Sequence, residues 1–203
     1  MSKGRLEAFS DGVVAILITI MVLELKPPAG ADWQALRPIL PSLLTYVLSF
    51  VYLGIYWNNH HHLLYATERI NGKILWANLH LLFWLSLVPF VTNWMGENHF
   101  VGLPTAVYGG VLFLAGIAYK ILQNAIVAEQ GRNSALAAAL GKDFKGTISP
   151  LLYAAAIGLA FVHEGIAQAI YVLVALMWLV PDRRIERPSA RLEQRHEKAR
   201  TGD

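Results

Sequence analysis

The sequence predicts an all-α integral membrane protein of six transmembrane helices with its N- and C-termini in the cytoplasm. Three observations predict it. The chain of 203 residues is 55% hydrophobic and only 15% charged, against about 25% charged in soluble domains. Its apolar residues fall in six long blocks separated by polar, proline or glycine breaks. With six crossings, fourteen Lys and Arg collect on one side and only Lys26 and Arg37 on the other, Lys120 lying inside a span. Such an excess marks the cytoplasmic face, and dropping any one crossing spoils the split.

The first segment runs from Leu6 to Leu25 and stops at Pro27-Pro28, which cannot continue a helix. The second runs from Pro38 to Tyr65, with Pro38 and Pro41 suited to its first turns. Gly72 precedes the third, Lys73 to Trp94, where Pro89 predicts a kink near the far end. The fourth runs from Pro104 to Ala128. A polar loop, 129–146, leads to the fifth, Thr147 to His163, and the sixth, Gly165 to Val180, follows after a very short connection. Each approaches the roughly 20 residues that cross a bilayer. The organisation expected is a six-helix transmembrane domain over residues 1–184 and a charged, flexible cytoplasmic tail over 185–203.

The N-terminus imitates a secretory signal, with Lys3 and Arg5, an apolar run and then Ala29-Gly30-Ala31. Asp11-Gly12 interrupts the entry to that run, and Glu24 to Pro28 intervenes before the small residues, so retention of the segment is expected. The absence of cysteine excludes disulfides, thiolate catalysis and Cys-ligated metals. No phosphate-binding loop, nucleophile triad or paired carboxylate motif is present, and the basic tail does not imply nucleic acid binding.

The first helix is unusual for an anchor, because it carries Ser10-Asp11-Gly12 and a mid-helix Thr19. An ionisable group in a span costs a few kcal/mol or more, so Asp11 needs a partner or a polar pathway. At about 100° per residue with Ile16 as origin, Thr19, Ile20 and Leu23 fall at about −60°, +40° and −20°. Gly12 and Phe9 extend this stripe toward the N-terminus, while Asp11 lies near 220°, away from it. Such a stripe suits an ion pathway, but on periodicity alone ordinary lipid contact or helix packing is favoured, since apolar stripes are common on membrane helices.

Three adjacent histidines, His60, His61 and His62, follow Trp57 at the end of the second segment. On a helix they fan over about 200° and cannot all reach one metal ion. His80, His99 and His163 stand singly, so no metal site is expected. Hydrogen bonding of one or two histidines to the Ser10-Asp11 turn is the functional expectation, and an interfacial polar belt is the simpler one. Asn78 and His80, with Thr92 and Asn93, are read as kink-supporting groups on the third segment. Glu24, His99 and Glu164 are outer charges, either solvated or biasing cations toward an entrance.

Arg5, Phe9, Ser10, Asp11 and Gly12, followed by Ala15, Ile16 and Thr19, with Trp57, His60 and His61 in the second segment, resemble the transmembrane protein 175 family. The similarity covers about residues 4–180 and is that of a prokaryotic member with one six-helix repeat. It implies a potassium-permeable channel without the Thr-Val-Gly-Tyr-Gly filter, a homotetramer in the plasma membrane with four first helices around the conduction path. It further implies a pore constriction at Ile16, Ile20 and Leu23 and a polar selectivity layer at Thr19. Arg5, Phe9, Ser10 and Asp11 then form the signature motif, meeting Trp57 and His60 or His61. The permeant ion is potassium, and neither cofactor nor catalytic residue is implied. The residues alone leave a secondary transporter as the alternative, although no pair of broken helices recurs in matching halves. A membrane metalloenzyme built on the histidine cluster is the other.

Overall fold

The computed structural model describes residues 2–131 and 144–179, so the expected tail, the end of the sixth segment and most of the 129–146 loop lie outside the described residues. The described elements are all helical. They are α1 (Lys3–Leu23), a 3-10 segment (Trp33–Ile39), α2 (Leu40–Tyr65), α3 (Gly72–Ser86), α4 (Val88–Glu97), α5 (Gly102–Gln130), α6 (Phe144–Leu159) and α7 (Glu164–Leu179). Four stretches are long and apolar enough to cross a bilayer: α1, the 3-10 segment with α2, α3 with α4, and α5. The two shorter apolar helices, α6 and α7, have 16 residues each, or roughly 24 Å at 1.5 Å per residue.

The helix ends follow from local chemistry. Asp32 opens the 3-10 segment by accepting from the Ala35 N–H at 2.9 Å, and Pro41 occupies the first turn of α2. Asn71 caps α3 by accepting from the Ile74 N–H at 3.0 Å. Pro89 lacks the N–H that would continue the α3 ladder, and the expected kink is a break at Leu87 between α3 and α4. Between α4 and α5 the chain turns through two left-handed residues, His99 (φ 48°) and Phe100 (φ 65°). The Phe100 N–H donates to the Met95 carbonyl at 3.0 Å, and Thr105 Oγ1 donates to the Phe100 carbonyl at 2.8 Å, which hold the turn.

The core forms around α5, which packs against α3, α4, α6 and α7. Its buried side includes Thr105, Tyr108, Gly109, Leu112, Ala115, Ala118, Leu122 and Ile126. The small residues let neighbours approach closely. A Cβ built on Gly109 falls 2.0 Å from Tyr171 Oη, and one on Gly96 falls 2.6 Å from Ser42 Cα. Buried hydroxyls tie the same helices together. Ser49 Oγ lies 3.0 Å from Tyr108 Oη and accepts from Thr92 at 2.7 Å, Tyr171 donates to the Thr105 carbonyl, and Tyr52 donates to the Tyr171 carbonyl.

By contrast α1 lies at the edge, against α2, α3 and α4. Only 28% of its apolar window and 22% of that of α2 are buried within the chain, against 50% for α3 with α4. The first two helices therefore leave broad faces uncovered by the rest of the chain.

Candidate functional site

Leu6, Ser10, Val14, Leu17 and Met21 form the buried face of α1. They recur every three or four residues, as one side of a helix must. On the other face Phe9, Ile16, Ile20 and Leu23 are 48%, 57%, 39% and 81% exposed, and Thr19 is exposed among them. The stripe seen in the sequence is thus uncovered by the rest of the chain. Thr19 Oγ1 lies 3.0 Å from both the Ala15 and Ile16 carbonyls. Its single hydrogen points back into the helix, which leaves oxygen lone pairs for the outside.

The inner face ends in a buried polar chain. Ser10 Oγ donates to the Leu6 carbonyl at 2.9 Å and accepts from Asn78 Nδ2 at 3.0 Å. Asn78 Oδ1 faces His60 Nε2 at 2.6 Å. Since the Asn78 amide nitrogen is committed to Ser10, its oxygen must accept, and His60 carries a proton on Nε2. Ser10 and Asn78 are fully buried and His60 nearly so. Beside this chain, Trp57 Nε1 donates to Asp11 Oδ1 at 3.0 Å, in a half-exposed position.

The sequence-predicted residues are therefore joined in a different order from that expected. No described histidine bonds Ser10 or Asp11 directly; His60 reaches Ser10 through Asn78, and Asp11 is held by tryptophan. His61 instead stacks on Trp57, with ring centroids 6.1 Å apart, and meets His62 edge-on at 5.7 Å. Phe9 and Arg5 stay exposed, outside both bonded groups. Asn78, read from the sequence as a kink group, is the residue that reasoning missed. Its signal was present: an amide on the apolar stripe of Ile74, Ala77, Leu81 and Leu85 needs a buried partner.

Further contacts hold α1 at both ends. Lys3 Nζ donates to the Tyr65 carbonyl at 2.6 Å and lies 5.2 Å from its ring centroid, a cation on the C-terminal end of α2. At the opposite end Lys26 donates to Glu97 at 2.6 Å, and Asn93 reaches Glu24 at 3.4 Å. The Glu97 carboxylate, by hydrogen bond and then by charge, holds the Lys26 ammonium above its ordinary value. Among the described residues no group of three or more His, Asp or Glu could hold a metal ion.

A bundle of long apolar helices, with polar side chains sealed between α1, α2 and α3, defines a multi-pass membrane protein. The family profile described as "Endosomal/lysosomal potassium channel TMEM175" matches residues 5–89, which span α1, α2 and α3. The chain is 57% identical over 187 residues to a potassium channel of Chryseobacterium sp., covering 92% of this chain and 97% of that one. It is 32% identical over 211 residues to a potassium channel of Streptomyces collinus, covering 92% and 98%. Its fold matches the crystal structure of a lysosomal potassium-selective channel TMEM175 homolog from Chamaesiphon minutus, with a TM-score of 0.75 and 26% identity over 89% of this chain and 97% of that one. The chain belongs to the TMEM175 family.

Proposed function

We propose that this protein is a potassium-permeable channel of a prokaryotic plasma membrane, a homotetramer of six-span subunits with both termini cytoplasmic. The observation that carries the reading is the uncovered Ile16, Thr19, Ile20 and Leu23 stripe of α1 in a chain whose relatives are potassium channels. The Lys and Arg bias supports the orientation. Among the described residues, Lys3, Arg5, Arg69, Lys73 and Lys145 lie near the helix ends that Lys3 and Tyr65 bring together. Lys26 and Arg37 lie toward the other end.

In this mechanism four α1 helices surround the conduction path. Ile16, Ile20 and Leu23 narrow it, and their branched apolar side chains control conduction through width and wetting. Thr19 presents oxygen lone pairs, because its hydrogen is bonded to its own helix, and these replace part of the hydration shell of a passing potassium ion. Asp11 points off the stripe and is held by Trp57, while the Ser10–Asn78–His60 chain braces the helix from behind. Arg5, Phe9, Ser10, Asp11, Trp57, His60 and His61 then act structurally rather than as ion ligands. Residues 1–184 form the channel domain and 185–203 a cytoplasmic tail.

Flux from proteoliposomes tests the assignment. Ile20→Ser and Leu23→Ser each widen and wet the constriction, and potassium leak rises in both. Unchanged flux in both variants would remove α1 from the pathway. Bilayer recording with potassium and sodium on opposite sides measures the preference, which Thr19→Ala reduces. Movement that requires a counter-ion would identify a transporter instead.

A further inference from the structure

We propose that the outer groove between α3 and α5, near the end of the bundle that carries Lys3 and Tyr65, is a binding site for a phospholipid with a primary-ammonium headgroup, phosphatidylethanolamine. The groove is open, about 910 Å³, and Ala77, Ala125 and Ala128 keep it shallow-walled. Trp76 stands beside it, 75% exposed on a helix that crosses the bilayer. That is the position of an interfacial aromatic, whose ring lies along the upper acyl chain at headgroup depth.

The charges at its rim select the headgroup. Lys73, in the first turn of α3, supplies an ammonium, and Glu129, in the last turn of α5, supplies a carboxylate. Glu129 Oε2 accepts from Asn71 Nδ2 at 2.5 Å, which holds the carboxylate at the rim of the groove, its other oxygen making no hydrogen bond among the described residues. A ligand that satisfies both best carries a phosphate for Lys73 and a cationic hydrogen-bond donor for Glu129, since a charged donor binds a carboxylate more strongly than a neutral hydroxyl. Phosphatidylethanolamine has both on one headgroup. Phosphatidylcholine has no N–H to donate, and an anionic glycerolipid meets Glu129 with like charge.

Deeper in the groove, His80 lies seven residues beyond Lys73, roughly 10 Å along the helix. Its Nε2 accepts from Trp84 Nε1 at 3.0 Å, so the neutral ring carries its hydrogen on Nδ1. That leaves a donor for the ester carbonyls of the glycerol backbone. The site needs only a membrane-embedded chain, so it stands whether or not the protein conducts potassium.

The experiment titrates the purified protein in mild detergent with phosphatidylethanolamine, phosphatidylcholine and phosphatidylglycerol of identical acyl chains, and counts retained lipids by native mass spectrometry. The ethanolamine lipid is expected to be retained about tenfold over the choline lipid, as a charge-assisted hydrogen bond requires. Glu129→Gln keeps an oxygen to accept from Asn71, so the fold persists, and the ethanolamine preference collapses to the choline level. Lys73→Gln weakens all three lipids. Equal retention of ethanolamine and choline lipids by the unaltered chain overturns the proposal. Retention led by the glycerol lipid overturns it too, because basic charge alone would then explain binding.

Discussion

Asn78 holds two helices through one amide, since its nitrogen serves Ser10 on α1 and its oxygen serves His60 on α2. Removing it leaves two buried polar groups short of a partner, each at about 1–3 kcal/mol. Trp57–Asp11 has similar geometry but is half open to its surroundings, so its loss costs less. Asn78→Ala should therefore lower the thermal unfolding midpoint more than Trp57→Phe, measured in detergent by intrinsic fluorescence. Because His60 acts on Ser10 through Asn78, His60→Ala and Asn78→Ala together should cost less than the sum of the two alone. An additive double variant would break the chain of contacts. The residue scale also shows the limit of the sequence. Helical angles separated Asp11 from the Ile16 stripe, because faces are a local property of one helix. Which histidine meets which partner depends on how α3 is inserted between α1 and α2, and no single-helix pattern carries that.

At the scale of elements, helix ends were legible wherever covalent chemistry sets them. Pro41 stands in the first turn of α2 and Pro89 breaks the third segment at Leu87, whereas α1 ends at Leu23, short of the Leu25 expected before Pro27-Pro28. The 3-10 segment before α2 was not expected, since Asp32 and Pro38 signal a start without distinguishing a tighter coil from an α-helix. Close helix approach is the other hidden quantity. Gly109-Gly110 reads only as two small residues, yet Gly109 receives Tyr171 Oη while Gly110 has no neighbour within 4 Å of a built Cβ. Gly109→Ala must displace Tyr171 and break its bond to the Thr105 carbonyl, at the 1–3 kcal/mol typical of overpacking. Gly110→Ala should be neutral or mildly stabilising, since alanine is the better helix former. Expression and unfolding temperature of the two variants compare them directly. Equal loss in both would mean that α7 does not lie against α5 there. The Lys26–Glu97 pair clamps the far end of α1 more weakly, being exposed and open to screening by salt. Its raised lysine pKa contributes stability that is complete below the ordinary lysine value and fades only as strongly alkaline pH passes the raised one.

The whole molecule poses the remaining question, because α1 and α2 leave most of their apolar windows bare while the later helices surround α5. Lipid could cover an apolar face, and Thr19, bonded to its own helix carbonyls, is compatible with that. The proposed symmetric assembly would instead bring identical faces toward each other about one axis. The proposed tetramer of the 22.5 kDa chain would have a mass of about 90 kDa, which light scattering measures once detergent is subtracted. The sequence offers a sharper test of which face lies inside, since it contains no cysteine. Leu23→Cys then places one thiol per chain on the α1 stripe, and Leu176→Cys places one on the exposed side of α7. If α1 surrounds the axis, mild oxidation links Leu23→Cys chains into covalent dimers within the assembly, at a rate independent of dilution, and leaves Leu176→Cys chains single. Linking at position 176 without linking at 23 would turn the molecule inside out, with α7 at the axis and the α1 stripe against lipid.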